Sequence, residues 1–208
     1  DEEGRREYVN EMYDTVARLK NCVSLAVWVP FNEGWGQFDS VEITEKLRAA
    51  DPTRIIDSVS GWHDQGKGTS QLKSLHVYFK PIRIPNDERC VVLSEFGGYS
   101  LPTEGHMFSP DKIFGYKIYK SQEKFAEAFK RLYEKSIIPN IEKGLSAAVY
   151  TQVSDVEEEI NGLVTYDRRI VKLPRDVAKE INPKLVLCPP RRARAPWLQR
   201  HGRPPAGA

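Results

Sequence analysis

Two glutamates stand out by what surrounds them. Glu33 follows Trp28-Val29-Pro30-Phe31-Asn32 and precedes Gly34-Trp35-Gly36-Gln37. Glu95 follows Val91-Val92-Leu93-Ser94 and precedes Phe96-Gly97-Gly98. An apolar run bounded by turn residues reads as a buried parallel strand, and each of these runs ends in a carboxylate beside glycine and aromatic residues. A (β/α) barrel carries its catalytic groups at the C-terminal tips of such strands. Two carboxylates placed that way are the equipment of glycoside hydrolysis. At a separation of about 5–5.5 Å one protonates the leaving oxygen while the other attacks the anomeric carbon, and configuration is retained. The plain alternative is two solvated loop carboxylates among 29 acidic residues.

The elements that must hold these residues alternate between helix and strand. Tyr8, Met12, Val16 and Leu19 make one apolar face of a helix over 5–20. A strand over Leu25–Phe31 follows. Asp39 is the expected N-cap of a helix running to Ala50, which Asp51-Pro52 stops, because the residue before proline leaves the α region. Further strands are expected over 54–59, 74–79, 89–95 and 145–151. The third of the five carries His76 and Tyr78 on one side by alternation. Residues 97–120 read as a long loop suited to a substrate lid or wall. The strongest helix, 121–143, contains Pro139, which should kink or shorten it. A last short helix is expected over 175–181. Strand–helix alternation implies a parallel sheet with helical cover.

With 208 residues, 40% hydrophobic and 29% charged, the chain is long enough for one domain with a real core. No apolar run approaches the ~20 residues of a membrane helix, and no basic-plus-apolar leader opens the chain. The net charge of +2 is uneven. Arg191, Arg192, Arg194, Arg200 and Arg203 crowd the last residues without an acid, and without them acids outnumber bases. The body therefore offers no basic face for nucleic acid. Cys22, Cys90 and Cys188 are scattered and odd in number, which argues against a disulfide framework or zinc site and fits a reducing, cytoplasmic compartment.

Asn32-Glu33-Gly34-Trp35-Gly36-Gln37 and Ser94-Glu95-Phe96-Gly97-Gly98 resemble the two signature stretches of glycoside hydrolase family two, which contains β-galactosidases, β-glucuronidases and β-mannosidases. Tyr150-Thr151-Gln152, Asp155-Val156-Glu157, Asn161-Gly162-Leu163 and Thr165-Tyr166-Asp167-Arg168 resemble the closing strand and loop of bacterial members. The resemblance covers residues 5–188. It implies an α/β fold, a partial TIM (β/α)8 barrel of about five parallel strands, the fourth to the eighth, with flanking helices. Three further strands are then expected before Asp1.

The resemblance also implies roles. Glu33 corresponds to the acid/base and Glu95 to the nucleophile. Asn32 resembles the residue that holds the sugar 2-hydroxyl, and Tyr78 the tyrosine that hydrogen-bonds the nucleophile. His76 and Trp62 are further substrate-binding candidates. No metal and no cofactor is expected, and the partner is a β-glycoside, with no nucleic acid and no membrane. The segment Asn21-Cys22-Val23-Ser24 departs from the family's usual Asn-His-Pro-Ser. With half a barrel wall expected to be missing, hydrolysis by these residues alone is expected to be negligible, and self-association through open sheet edges is expected. The alternative reading is a non-catalytic carbohydrate-binding or association remnant of such a barrel.

Two other signals carry less. Gly61-Trp62-His63-Asp64-Gln65-Gly66-Lys67 has most of a phosphate-binding loop, but Gly68 stands where Ser or Thr must ligate magnesium. Residues 189–208, rich in Arg and Pro, read as a disordered tail after a domain spanning 1–188.

Overall fold

The computed structural model describes residues 1–66 and 68–185. The tail expected over 189–208, Cys188 and Lys67 lie outside the described residues. Helix α1 spans Glu2–Leu19, and the Asp1 carboxylate caps it by accepting from Gly4 N–H at 2.8 Å. Strand β1 (Val27–Trp28), helix α2 (Ser40–Ala50) and strand β2 (Ile55–Ile56) follow. Then come β3 (Leu72–Val77), β4 (Cys90–Gly97), β5 (Tyr99–Ser100) and β6 (Lys117–Ile118). Helices α3 (Gln122–Leu132) and α4 (Ile138–Ile141), strand β7 (Leu145–Thr151) and helix α5 (Arg175–Ile181) complete the order.

The fold is mixed α/β with parallel strands. All five expected strands are present, but they do not form one five-stranded sheet. β1 pairs with β2, and a separate sheet runs β3-β4-β7, every pairing parallel. Proline cuts the first ladder short. Pro30 has no N–H to donate, so the β1–β2 ladder stops after Trp28–Ile56 and resumes only as an isolated bridge between Asn32 and Ser60.

Side chains close the seam between β2 and β3. Ile56 N–H donates to the Gln71 side chain at 2.9 Å, and Ser58 N–H to Ser70 Oγ at 3.1 Å. Ser74 Oγ donates to the buried Asp57 carboxylate. Serine and glutamine oxygens thus take the donors that a neighbouring strand would have taken.

Two smaller expectations are corrected and a third is met. Asp39 precedes α2 but does not cap it through its side chain. Its backbone is left-handed (φ 41°), and its carboxylate pairs with Arg5 at 3.2 Å instead. Residues 97–120 are not one loop. Tyr99–Ser100 and Lys117–Ile118 form a parallel pair, anchored by Leu101 in a core with Phe125, Phe129, Leu173 and Ile181. The long helix over 121–143 breaks as Pro139 requires: α3 passes into a π-helical turn at Tyr133–Ile137 and then into α4, which carries the proline in its first turn. The wider turn makes room for the proline ring and its missing donor.

The core is divided as the sheets are. Val16, Trp28, Leu47 and Ile56 pack α1 and α2 on the first pair. Leu93, Phe96, Ile137 and Leu145 pack the helical segment before β7 on the second sheet. Burying side chains of this size stabilises the fold by about 1.5–3 kcal/mol each. The outcome for the site is that β1 and β2 hold one glutamate and β4 the other, with β3 between.

Candidate active site

Glu33 lies one residue past the Asn32–Ser60 bridge, in a turn, with φ 54°. A left-handed non-glycine residue costs on the order of 1 kcal/mol and needs surroundings that hold it. Its N–H donates to the Ser60 carbonyl at 2.7 Å, its own carbonyl accepts from the Gln37 side chain, and its Oε2 accepts from Trp35 Nε1 at 3.1 Å. The carboxylate is turned inward, its side chain 14% exposed.

Glu95 is not at the end of its strand, since β4 runs two residues further. It sits instead at a bulge. Against β3, Leu93 pairs with Leu75 and Glu95 with His76, so Ser94 is the extra residue. Against β7, the register slips between Leu93 and Phe96. A bulge re-aims side chains that strict alternation would send to opposite faces. Here Ser94 and Glu95, consecutive in sequence, both reach the group around His76: Ser94 Oγ lies 2.9 Å from Ser60 Oγ, and Glu95 Oε2 lies 3.4 Å from His76 Nδ1.

His76 lies between the two glutamates. Its side chain is fully buried, its Nδ1 is 2.8 Å from Glu33 Oε1, and its Nε2 is 2.9 Å from Ser60 Oγ. One oxygen of each carboxylate and one imidazole nitrogen all fall within 4.8 Å of one another. Gly61 makes the room. It has φ +84°, and a Cβ there would come 2.5 Å from the His76 ring.

Tyr78, two residues on, donates its phenol to Glu95 Oε2, with Thr151 Oγ1 3.4 Å away on β7. Burial first, and then this hydrogen bond, raises the Tyr78 phenol well above its ordinary range, so it stays a donor. Tyr116 stacks flat on Tyr78 with ring centroids 4.1 Å apart, and burial raises its phenol also. Gly98 permits the stack, since a Cβ there would meet the Tyr116 ring at 2.5 Å.

Trp62 is half exposed and stands edge-on to His76, ring centroids 6.0 Å apart. It walls a cavity of about 420 Å³ together with His76, Tyr78, Phe79 and Tyr116, with Lys80 and Arg83 also on its lining. Of the residues singled out from sequence, Glu33, His76, Tyr78, Glu95 and Trp62 are thus gathered in one place. Asn32 is next to Glu33 and its backbone is bridged to Ser60, but the residue is exposed.

Glu33, His76 and Glu95 also form the one cluster of metal-ligand atoms found among the described residues. Within this set His76 is bonded to Glu33, and Tyr78 donates to Glu95. The phosphate-loop-like stretch leads into strand β3, not into the helix that a phosphate site requires. No helix among the described residues is long and apolar enough to cross a membrane.

Sequence reasoning missed Ser60, Ser94, Thr151 and Tyr116. Single serines and threonines carry no spacing signal. Tyr116 lay in a segment read as loop, where only its aromatic character could have marked it. Compared with models of known protein families and with curated proteins, the chain matches none.

Proposed function

We propose that this chain carries the catalytic centre of a retaining β-glycoside hydrolase, built on part of a (β/α)8 barrel whose fourth to eighth strands are β1, β2, β3, β4 and β7. The observation that carries the reading is the approach of Glu33 and Glu95, with carboxylate oxygens within 4.8 Å of each other, close to the separation that double displacement uses. Tyr78 supports the assignment of roles. Its hydrogen bond steadies negative charge on Glu95, which suits the nucleophile. Glu33 has no such phenol and faces an imidazole instead, which suits a group that gives and takes a proton.

In the first step the Glu33 proton moves to the glycosidic oxygen, the bond from that oxygen to the anomeric carbon breaks, and Glu95 bonds to that carbon. In the second, water adds to the same carbon, Glu33 takes the water's proton, and Glu95 is released. Trp62, Phe79 and Tyr116 offer apolar faces to the sugar. No cofactor enters this chemistry, and the partner is a β-glycoside.

A second reading is a non-catalytic remnant that binds carbohydrate or associates with other chains. Among the described residues the outer edge of β7 is unpaired, which favours it, with Ser146–Val149 exposed and Val149 60% exposed. Unpaired strand edges invite pairing with another chain. Incomplete walls leave substrate poorly held, and lost positioning alone can remove several kcal/mol of barrier reduction. Steady hydrolysis of aryl β-galactosides, β-glucuronides and β-mannosides by these residues alone is therefore expected to be negligible.

A single-turnover experiment separates the readings. The protein is incubated with activated 2-deoxy-2-fluoro-β-glycosides of these sugars, which form the glycosyl–enzyme and release it slowly, and peptides are mapped by mass spectrometry. A sugar adduct on Glu95, absent in E95Q, is the expected outcome. An adduct-free protein whose Trp62 and Tyr116 resonances still shift with sugar is the outcome of the remnant reading.

A further inference from the structure

We propose that His76 is a positioning residue that holds a proton on Glu33, its tautomer fixed by a hydroxyl relay through Ser60 and Ser94. The proposal rests on the reading of Glu33 as the acid. The relay is traced by counting hydrogens. Ser94 Oγ lies 3.5 Å from the Leu75 carbonyl, which can only accept. A hydroxyl has one hydrogen. If Ser94 gives its hydrogen to that carbonyl, it must accept from Ser60, 2.9 Å away. Ser60 has then used its own hydrogen and can only accept from the imidazole, 2.9 Å away on its other side. Nε2 of His76 therefore carries a hydrogen.

Nδ1 faces Glu33 Oε1 at 2.8 Å and Glu95 Oε2 at 3.4 Å. Ionised carboxylates only accept, and a neutral imidazole with its hydrogen on Nε2 offers a lone pair at Nδ1. Lone pair against lone pair in a buried place is unfavourable. One proton must lie on the line between Glu33 and Nδ1, the shorter of the two contacts. The imidazole is fully buried, so bulk water does not supply a competing donor.

The other titratable groups facing the ring do not displace that proton. Asp57, just past β2, takes hydrogens from Ser74 and Ser70. Glu95 of β4 takes the Tyr78 hydrogen. Tyr78, just past β3, and Tyr116, from the segment before β6, are kept neutral by burial. Over the reaction the proton leaves Glu33 for the leaving oxygen and is replaced from water, and His76 neither gains nor loses a hydrogen. Ser60 and Ser94 act through His76 and touch no reacting atom.

The test is nuclear magnetic resonance of the full chain with ¹⁵N- and ¹³C-labelled histidine at neutral pH. Four histidines are present, and through-bond correlation assigns His76 without a variant. A hydrogen on Nε2 and none on Nδ1 is expected, and a hydrogen on Nδ1, alone or together with one on Nε2, overturns the proposal. S60A removes the relay's acceptor and is expected to mix the tautomers, while S60T restores the wild-type pattern. An S60A protein that is folded and keeps the unmixed tautomer also overturns it. If S60A does not fold, the wild-type tautomer decides.

This readout needs no turnover. An Nε2 hydrogen with none on Nδ1, in a protein that forms no glycosyl adduct, supports the relay and sinks the glycosidase reading. A glycosyl adduct with hydrogen on Nδ1 sinks the relay and leaves that reading standing.

Discussion

After β7, Lys172 donates to Asp155 Oδ1 at 2.7 Å and to the Ile160 carbonyl at 3.0 Å, while Gly162 N–H donates to the same Oδ1 at 2.8 Å. Both side chains are buried to 1% exposure or less. Between β1 and β4, two carboxylates share one imidazole nitrogen at 2.8 and 3.4 Å. The first cluster balances one negative charge with one positive. The second brings two acids together with a single base. Burial pushes Asp155 up and Lys172 down, and each is drawn back by its partner. A balanced pair has nothing to transfer and serves to fix the 153–172 segment. The unbalanced one is where the proposed reaction places its transferable proton.

The largest expected effect breaks the balanced pair. K172M strands Asp155 in a buried site and should cost about 3–5 kcal/mol, the usual range for an orphaned buried charge, read from urea unfolding. D155L combined with K172M should recover most of that loss. If K172M unfolds at the wild-type urea concentration, the pair is not structural.

The same operation on the other cluster should act in the opposite direction. E95Q relieves the crowding of two carboxyl groups around one imidazole and is expected to leave stability unchanged or raise it by up to about 1 kcal/mol, as is common at sites held for function, while abolishing adduct formation. A strongly destabilised E95Q would mean that the two clusters do the same job.

Two further carboxylates sharpen the contrast through pH. Burial raises Asp57 above its ordinary value, against the hydroxyls of Ser74 and Ser70. A raised acid contributes stability that is fully present below its unfolded value, about 4, and is lost as pH rises through the folded one. D57N should therefore be more stable than the wild type at pH 7, by about 1 kcal/mol, and the difference should close below about pH 4. Asp51 has the reverse sign. The Thr53 hydroxyl and the Trp28 indole lower it to about 2. Its contribution is present above about pH 4 and lost as pH falls through about 2. D51N should be the less stable protein at neutral pH, and the two unfolding curves should converge near pH 2. Curves that stay parallel across that window would count against the Asp51 contacts.

Much of this arrangement is legible in the residues themselves. The bounds of β7 and α5 follow from β-branched and apolar runs closed by Gly144 and Pro174, and the end of α2 follows from Asp51-Pro52. Alternation puts His76 and Tyr78 on one side, and both do reach the site, although β3 ends at Val77 and Tyr78 lies one residue past it. What is not legible depends on contacts between distant segments. Two-residue strands such as β5 and β6 have no periodicity to read. The bulge at Ser94 breaks the alternation that sequence reasoning relies on, so Ser94 gave no sign that it shares a face with Glu95. The shortness of the β1–β2 ladder is legible, since Pro30 announces a missing donor. The part played by Gln71, Ser70 and Ser74 was not visible, because polar side chains near a strand end more often face water.

The seam between β2 and β3 also has a mechanical side. Glu33 belongs to the β1–β2 pair and Glu95 to the sheet beyond, so the gap between their carboxylates is spanned by side-chain hydrogen bonds rather than by a continuous ladder. Hydroxyl and amide side chains rotate and exchange partners more readily than paired backbones do. The separation of the two acids is accordingly set by rotatable side chains and one backbone bond, from Gln71 N–H to the Ile56 carbonyl at 3.1 Å, and it can change without bending a sheet.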